Sequence, residues 1–189
     1  MVEIPTPCKE EVEKYLMKWE EDETISLHDS SLKLLFEELF PENKKKEHIL
    51  IKVNTLNDFY SAGVLNKEII PLTEHIYKKL DFDEKLKKGD SDLVDYIMNA
   101  KDVRKVYSFA TKYCSHHNPE EFPIFDSYVK KVLKHFRDKN PSFNFKNDEL
   151  NNYKSFKDIL TKFKNEYDLD EYGFKELDMY LWQLGKDYF

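Results

Sequence analysis

An all-α fold, a single multi-helix domain, is expected from three features of the sequence. The 189 residues include only 4 Gly and 7 Pro, against about 13 and about 9 at average usage. Apolar residues recur three and four positions apart in segment after segment, the spacing of one helix face. The chain also carries 2 Trp, 12 Tyr and 14 Phe, large flat side chains that enlarge a core at about 150–250 Å² each. So few glycines leave a β-sandwich, a Walker-type phosphate loop or a Rossmann fingerprint without the turns they are built on.

The elements follow in chain order. Pro7 suits a first helical turn, and Val12, Tyr15, Leu16 and Trp19 form the first stripe. The acidic run Glu20–Glu23 closes that helix. A second runs from His28 to Leu39 on Leu32, Leu35, Phe36 and Leu39, and stops at Phe40–Pro41. Lys44, Lys45 and Lys46 open a third segment ending at Gly63, with Ile49, Val53, Leu56, Phe59 and Tyr60 on one side. Its β-branched stretch Ile49–Val53 also suits a strand, but no partner strand follows, and a helix is expected. Leu65–Leu80 continues helically, a short piece spans Asp83–Lys87, and Gly89 ends it. Asp90 or Ser91 then caps a helix holding Leu93, Val94, Ile97 and Met98. The segment VRKVYSFATKYCSHH precedes a break at Pro119–Pro123, and SYVKKVLKHFRDK forms the next helix. Lys139–Asn152, with its Asn-Pro, reads as the longest loop. Two helices finish the chain, YKSFKDILTKFKNEY and, after Gly173, FKELDMYLWQLGKDYF. Residues 1–90 supply the N-terminal helices and 91–189 the remainder of one domain.

Composition narrows function. Thirty Lys and Arg against 37 Asp and Glu give a net charge of −7, so any surface for nucleic acid must be local. Cys8 and Cys114 lie far apart and supply neither a disulfide framework nor a zinc pattern. Cys114 and His117, three apart, offer two metal positions on a helix face, but no second pair completes the four ligands, or three plus water, that zinc needs. No metal and no cofactor are expected. The opening residues turn charged within ten positions, unlike a leader, and no apolar run approaches a span of about 20 residues. A cytoplasmic monomer away from the membrane is the expectation.

Three stretches carry candidate chemistry. In FPIFDSYVKKVLKHF, Pro123 imposes an extended approach and Asp126 meets the helix start, where it serves as an N-cap or as a site carboxylate. The same helix holds the most basic run, with Lys130, Lys131 and Lys134 placed to meet phosphates or solvent. At the C-terminal end, Leu177, Tyr180, Leu181 and Leu184 form a core stripe beside Trp182, followed by Lys186 and Phe189.

Taken in order, SFATKYC, PIFDSYVKKVLKHF and ILTKFKNEY…FKELDMYLWQLGK resemble the helix-hairpin-helix DNA glycosylase superfamily, in particular its archaeal-type 8-oxoguanine DNA glycosylases. The resemblance covers Val103–Phe189, with Ala110 in the small-residue position of the second hairpin helix. It implies a base-excision-repair activity on DNA: a damaged base flipped into an aromatic pocket, a hairpin lysine attacking sugar C1′, and an aspartate stabilising the developing cation. Asp126 matches that aspartate. Tyr128 stands where the family usually has His, and Trp182, Lys186 and Phe189 fall on the terminal helix that borders the base pocket. The family's hairpin glycines are missing from KDVRKVYSFA, and its lysine position reads Ser108. Lys112 lies one turn beyond Ser108, and Lys105 lies before it as a DNA contact. The resemblance therefore implies either a glycosylase-like protein with Asp126, Ser108 and Lys112 at its site, or a catalytically silent member that binds nucleic acid or a protein.

Overall fold

The computed structural model describes residues 3–189; Met1 and Val2, which begin the segment read for a leader, lie outside the described residues. The fold is all-helical. Its α-helices are α1 (Lys9–Glu21), α2 (Glu23–Lys33), α3 (Lys46–Tyr60), α4 (Asn66–Lys78), α5 (Phe82–Lys87), α6 (Asp92–Met98), α7 (Tyr107–His117), α8 (Ser127–Lys139), α9 (Tyr153–Glu166) and α10 (Phe174–Tyr188). A π-helical turn occupies Leu34–Leu39 and a 3₁₀ turn Glu149–Asn151. Ile49–Val53 lies inside α3, so the strand alternative falls.

Two expected helices differ in extent. The His28–Leu39 stripe begins five residues earlier, at Glu23, and is split near its end, because the backbone widens at Leu34 and Phe40 N–H donates to Leu35 O, five residues back, at 3.0 Å. The wider turn buries Leu35 and Phe36 but leaves Leu39 57% exposed. The segment from Val103 becomes helical only at Tyr107. Asp102 takes a left-handed φ of 62°, and Glu68 Oε1 accepts from Arg104 N–H at 3.2 Å, which holds the approach out of helical form.

The helices form two compact units, one of residues 3–26 with 125–189 and one of residues 27–124. The unit boundaries fall inside α2 and before α8. In the first unit α10 packs on both α1 and α8, burying Val12, Tyr15, Val129, Val132, Leu133, Leu177, Leu181 and Leu184. The α8–α9 region adds an aromatic cluster in which Phe136, Phe143, Phe163 and Tyr167 meet at 4.8–6.4 Å between centroids. These are edge and tilted contacts, the geometry favoured by ring quadrupoles. In the second unit α3 packs on α4 and α7, and α6 on α7. Ile49, Val53, Leu56, Leu72, Ile76, Leu93, Ile97, Phe109 and Tyr113 are fully buried there.

Candidate functional site

In the first unit, Pro123 and the extended backbone at Asp126 (φ −142°, ψ 179°) deliver that residue to the start of α8. Its Oδ1 accepts from Tyr128 N–H at 2.8 Å and from Val129 N–H at 2.9 Å. Both bonds use one oxygen. Oδ2 has no hydrogen-bond partner among the described residues.

The aromatic residues tied to a base pocket come together in this unit. Tyr128 meets Trp182 edge-on at 6.4 Å, Trp19 does so at 5.7 Å, and Lys186 Nζ lies 5.0 Å above the Trp182 ring. Lys131 Nζ lies 5.3 Å from the Tyr128 ring and 6.0 Å from that of Phe189, which is 48% exposed. Lys130 and Lys134 sit on the same helix, half-buried, opposite the face that buries Val129, Val132, Leu133 and Phe136.

Ser108, Lys112 and Lys105 belong to the second unit. On α7, Lys112 is only 5% exposed, and its ammonium donates to Ser108 Oγ at 2.8 Å. The face of Tyr60 covers the same nitrogen at 5.0 Å, and Tyr60 Oη lies 3.0 Å from His116 Nε2. Lys105 is exposed on the turn before the helix. Cys114 is fully buried, which pushes its thiol up, away from ligating form. No group of three His, Cys, Asp or Glu able to hold a metal occurs among the described residues.

A second polar centre lies deeper in this unit, and sequence reasoning missed it. Lys52 of α3 has 0% exposure. Its Nζ lies 3.0 Å from Phe40 O, 3.3 Å from Glu42 O, 2.8 Å from Asn43 Oδ1 and 3.0 Å from His117 Nε2. Tyr113 Oη donates to the same Asn43 oxygen at 2.6 Å, and Asn43 donates through N and Nδ2 to Asp83 at 2.7–3.1 Å. Burial pushes Lys52 down to about 7, with Asp83 opposing. Burial and the Lys52 ammonium together hold His117 well below the usual imidazole range. One signal was available in the sequence: Lys52 sits three residues after Ile49 and four before Leu56, on the apolar face of its helix.

The matched region of known sequence covers this centre. A family model, HI_0787_N, described as an N-terminal domain, matches residues 11–121, more than half of the chain. The chain belongs to the HI_0787_N family. An uncharacterized protein of Haemophilus influenzae (strain ATCC 51907 / DSM 11121 / KW20 / Rd) is 42% identical over 147 residues, 76% of this chain and 69% of that protein. No solved structure matches. The HI_0787_N match takes in α1 to α7, and with them Ser108, Lys112, Lys52 and His117. It ends before Asp126 and the Trp182 cluster.

Proposed function

We propose that this HI_0787_N-family chain is a DNA glycosylase-like protein acting on a flipped, 8-oxoguanine-like base, with Lys112 as its amine. The observation that carries the reading is the 2.8 Å contact between Lys112 Nζ and Ser108 Oγ. The hairpin lysine of the resembling enzymes aligns with Ser108, and here a buried amine one helical turn on reaches that same position. In such chemistry a lysine, once its ammonium has given up a proton, bonds to C1′ as the glycosidic C–N bond breaks and the base leaves with a proton from the attacking nitrogen. The C1′–O4′ bond then breaks as the remaining proton passes from nitrogen to O4′, which opens the sugar ring and gives the imine. Within its own unit Asp126 supports the reading through Oδ2, which capping leaves unused and which is a carboxylate oxygen of the kind that stabilises positive charge. The clustered rings of Trp182, Trp19 and Tyr128 with Lys131 and Lys186 suit a surface for bases and phosphates.

The test is incubation with duplexes carrying 8-oxoguanine, uracil or an alkylated base, followed by alkali to reveal abasic sites. Cleavage that is lost in Asp126→Asn and in Lys112→Gln supports the reading. No cleavage of any duplex by folded protein overturns it.

One observation favours a catalytically silent binding module instead. The turn before α7 reaches its left-handed conformation with Asp102 rather than glycine. In the register that sets the hairpin lysine at Ser108, the glycine positions read Arg104 and Val106, and the exposed Asp102 carboxylate stands just before the stretch that in the resembling enzymes offers bare backbone N–H groups to a DNA phosphate. Salt-dependent DNA binding without cleavage would be the result that favours this second reading.

A further inference from the structure

The Lys52–His117 contact has no part in the glycosylase reading. It stands at the meeting point of three elements. Lys52 belongs to α3, His117 to the last turn of α7, and the carbonyls of Phe40 and Glu42 to the segment that follows the π-helical turn. That wide turn presents Phe36 to all of them. The Phe36 ring lies 5.0 Å from that of His117, edge-on, 5.5 Å from that of Tyr113, and 5.5 Å from Lys52 Nζ. An i→i+5 turn at such a place recurs in proteins where geometry serves function rather than helix stability. On the outer side of His117 lies a cleft of about 770 Å³, lined by Phe36, Glu42, Asp83, Lys87, His117 and Pro119.

The donor count makes the contact sensitive to protons. An ammonium has three hydrogens and here faces four acceptors, with the long 3.3 Å contact to Glu42 O sharing. For His117 Nε2 to accept at 3.0 Å, its lone pair must be free and the ring hydrogen must sit on Nδ1. A second proton, supplied by solvent through the cleft, occupies that lone pair. The contact then sets N–H against N–H, two cations 3.0 Å apart with nothing between them.

We propose that the Lys52–His117 pair is an acid-sensitive latch, closed when it holds a single shared proton and released when His117 takes a second. Release swings the imidazole into the cleft, breaks its edge contact with Phe36, and loosens the last turn of α7 from the Phe40–Asn43 segment. Asn43 touches both members, with Oδ1 on Lys52 and Nδ2 3.3 Å from His117 Nε2; the titratable groups facing the pair are Asp83 from α5, Tyr113 and His116 from α7, Glu42 from the intervening segment, His48 from α3 through Phe40, and Glu37 and Lys87 across the cleft. Asp83 favours the charge on Lys52, and its carboxylate is already held by three Asn43 contacts. His116 and Lys52 both oppose charge on His117. The balance puts the second proton on the open form.

The full chain is studied by nitrogen-15 NMR of the imidazoles and by amide hydrogen exchange at residues 114–118, corrected for the intrinsic pH dependence. At pH 7.5 the His117 signals are those of a neutral ring with Nε2 unprotonated. Below about pH 6.5, protection of these amides falls by up to about tenfold per pH unit. In His117→Gln, an amide oxygen keeps the bond to Lys52 without titrating, and the pH dependence disappears. An imidazolium signal at pH 7.5, a flat wild-type profile, or an unchanged slope in His117→Gln overturns the proposal. Where His117→Gln fails to fold, the wild-type ring signals alone decide.

Discussion

Gly185 lies against Tyr128 so closely that a Cβ on the glycine would stand 2.6 Å from Tyr128 Cβ and 3.0 Å from its carbonyl oxygen. This approach seats α10 on α8 and brings Trp182, three residues earlier on α10, to the Tyr128 ring. In an open helix interior, Gly→Ala gains about 1 kcal/mol. Here the added carbon meets backbone, which does not swing aside, and overpacking costs about 1–3 kcal/mol. Gly185→Ala is expected to lower stability, measured by urea denaturation, and to alter Trp182 fluorescence. An increase in stability would show that the two helices separate at little cost.

Two variants of Asp126 separate its hydrogen bonds to the helix start from its charge. Asp126→Ala removes the cap of α8 and is expected to cost about 1 kcal/mol. Asp126→Asn keeps a capping oxygen and is expected to fold with nearly unchanged stability while losing the carboxylate charge. Urea midpoints of the two variants beside wild type check this. Equal losses in both would mean that the negative charge, and not the hydrogen bonds, holds the helix start.

The positions of the helices were legible because their stripes are long and their stops are chemical. Leu177, Tyr180, Leu181 and Leu184 all prove buried, and Pro123 with Asp126 marks the start of α8 at Ser127. The π-helical turn was not legible. Adding one residue to a turn leaves the composition of Leu34–Leu39 unchanged, and only the buried Phe36 beside the exposed Leu39 reveals it. Lys52 and Lys112 were obscured by their type. A lysine in an apolar stripe reads as an exposed neighbour of the core, although Lys112 lies between Phe109 and Tyr113 on the buried side of α7. Of the candidate site, the meeting of Tyr128 with Trp182 follows from the Gly185 contact. The burial of Lys112 depends on Tyr60, more than fifty residues away in the chain.

Lys52 predicts a pH dependence of stability. Its amine releases a proton near pH 7 in the folded chain and near 10.5 when unfolded. Between those values the unfolded state binds more protons, so stability rises with pH, by at most about 1.4 kcal/mol per unit. His117, held well below 6.5, adds a loss in the same direction as pH falls beneath that value. Urea midpoints from pH 5 to 9.5 should climb, and Lys52→Met should flatten the climb above pH 7. An unchanged slope in Lys52→Met would assign the dependence to other groups.

The proposed DNA binding gives the basic face of α8 a measurable response to salt. If Lys130, Lys131 and Lys134 each neutralise a phosphate, changing all three to Gln lowers the slope of log affinity against log salt by about 3. Fluorescence anisotropy of a labelled duplex at several salt concentrations measures it. An unchanged slope would remove this face from the interface.

The proposed role of Lys112, the amine that meets the sugar, is open to direct trapping. Borohydride reduction during incubation with an 8-oxoguanine duplex traps an imine as a stable adduct, and peptide mass spectrometry locates it. The expected result is an adduct on Lys112 that is absent in Lys112→Gln. An adduct on another lysine, or cleavage by Lys112→Gln at the wild-type rate, would contradict it.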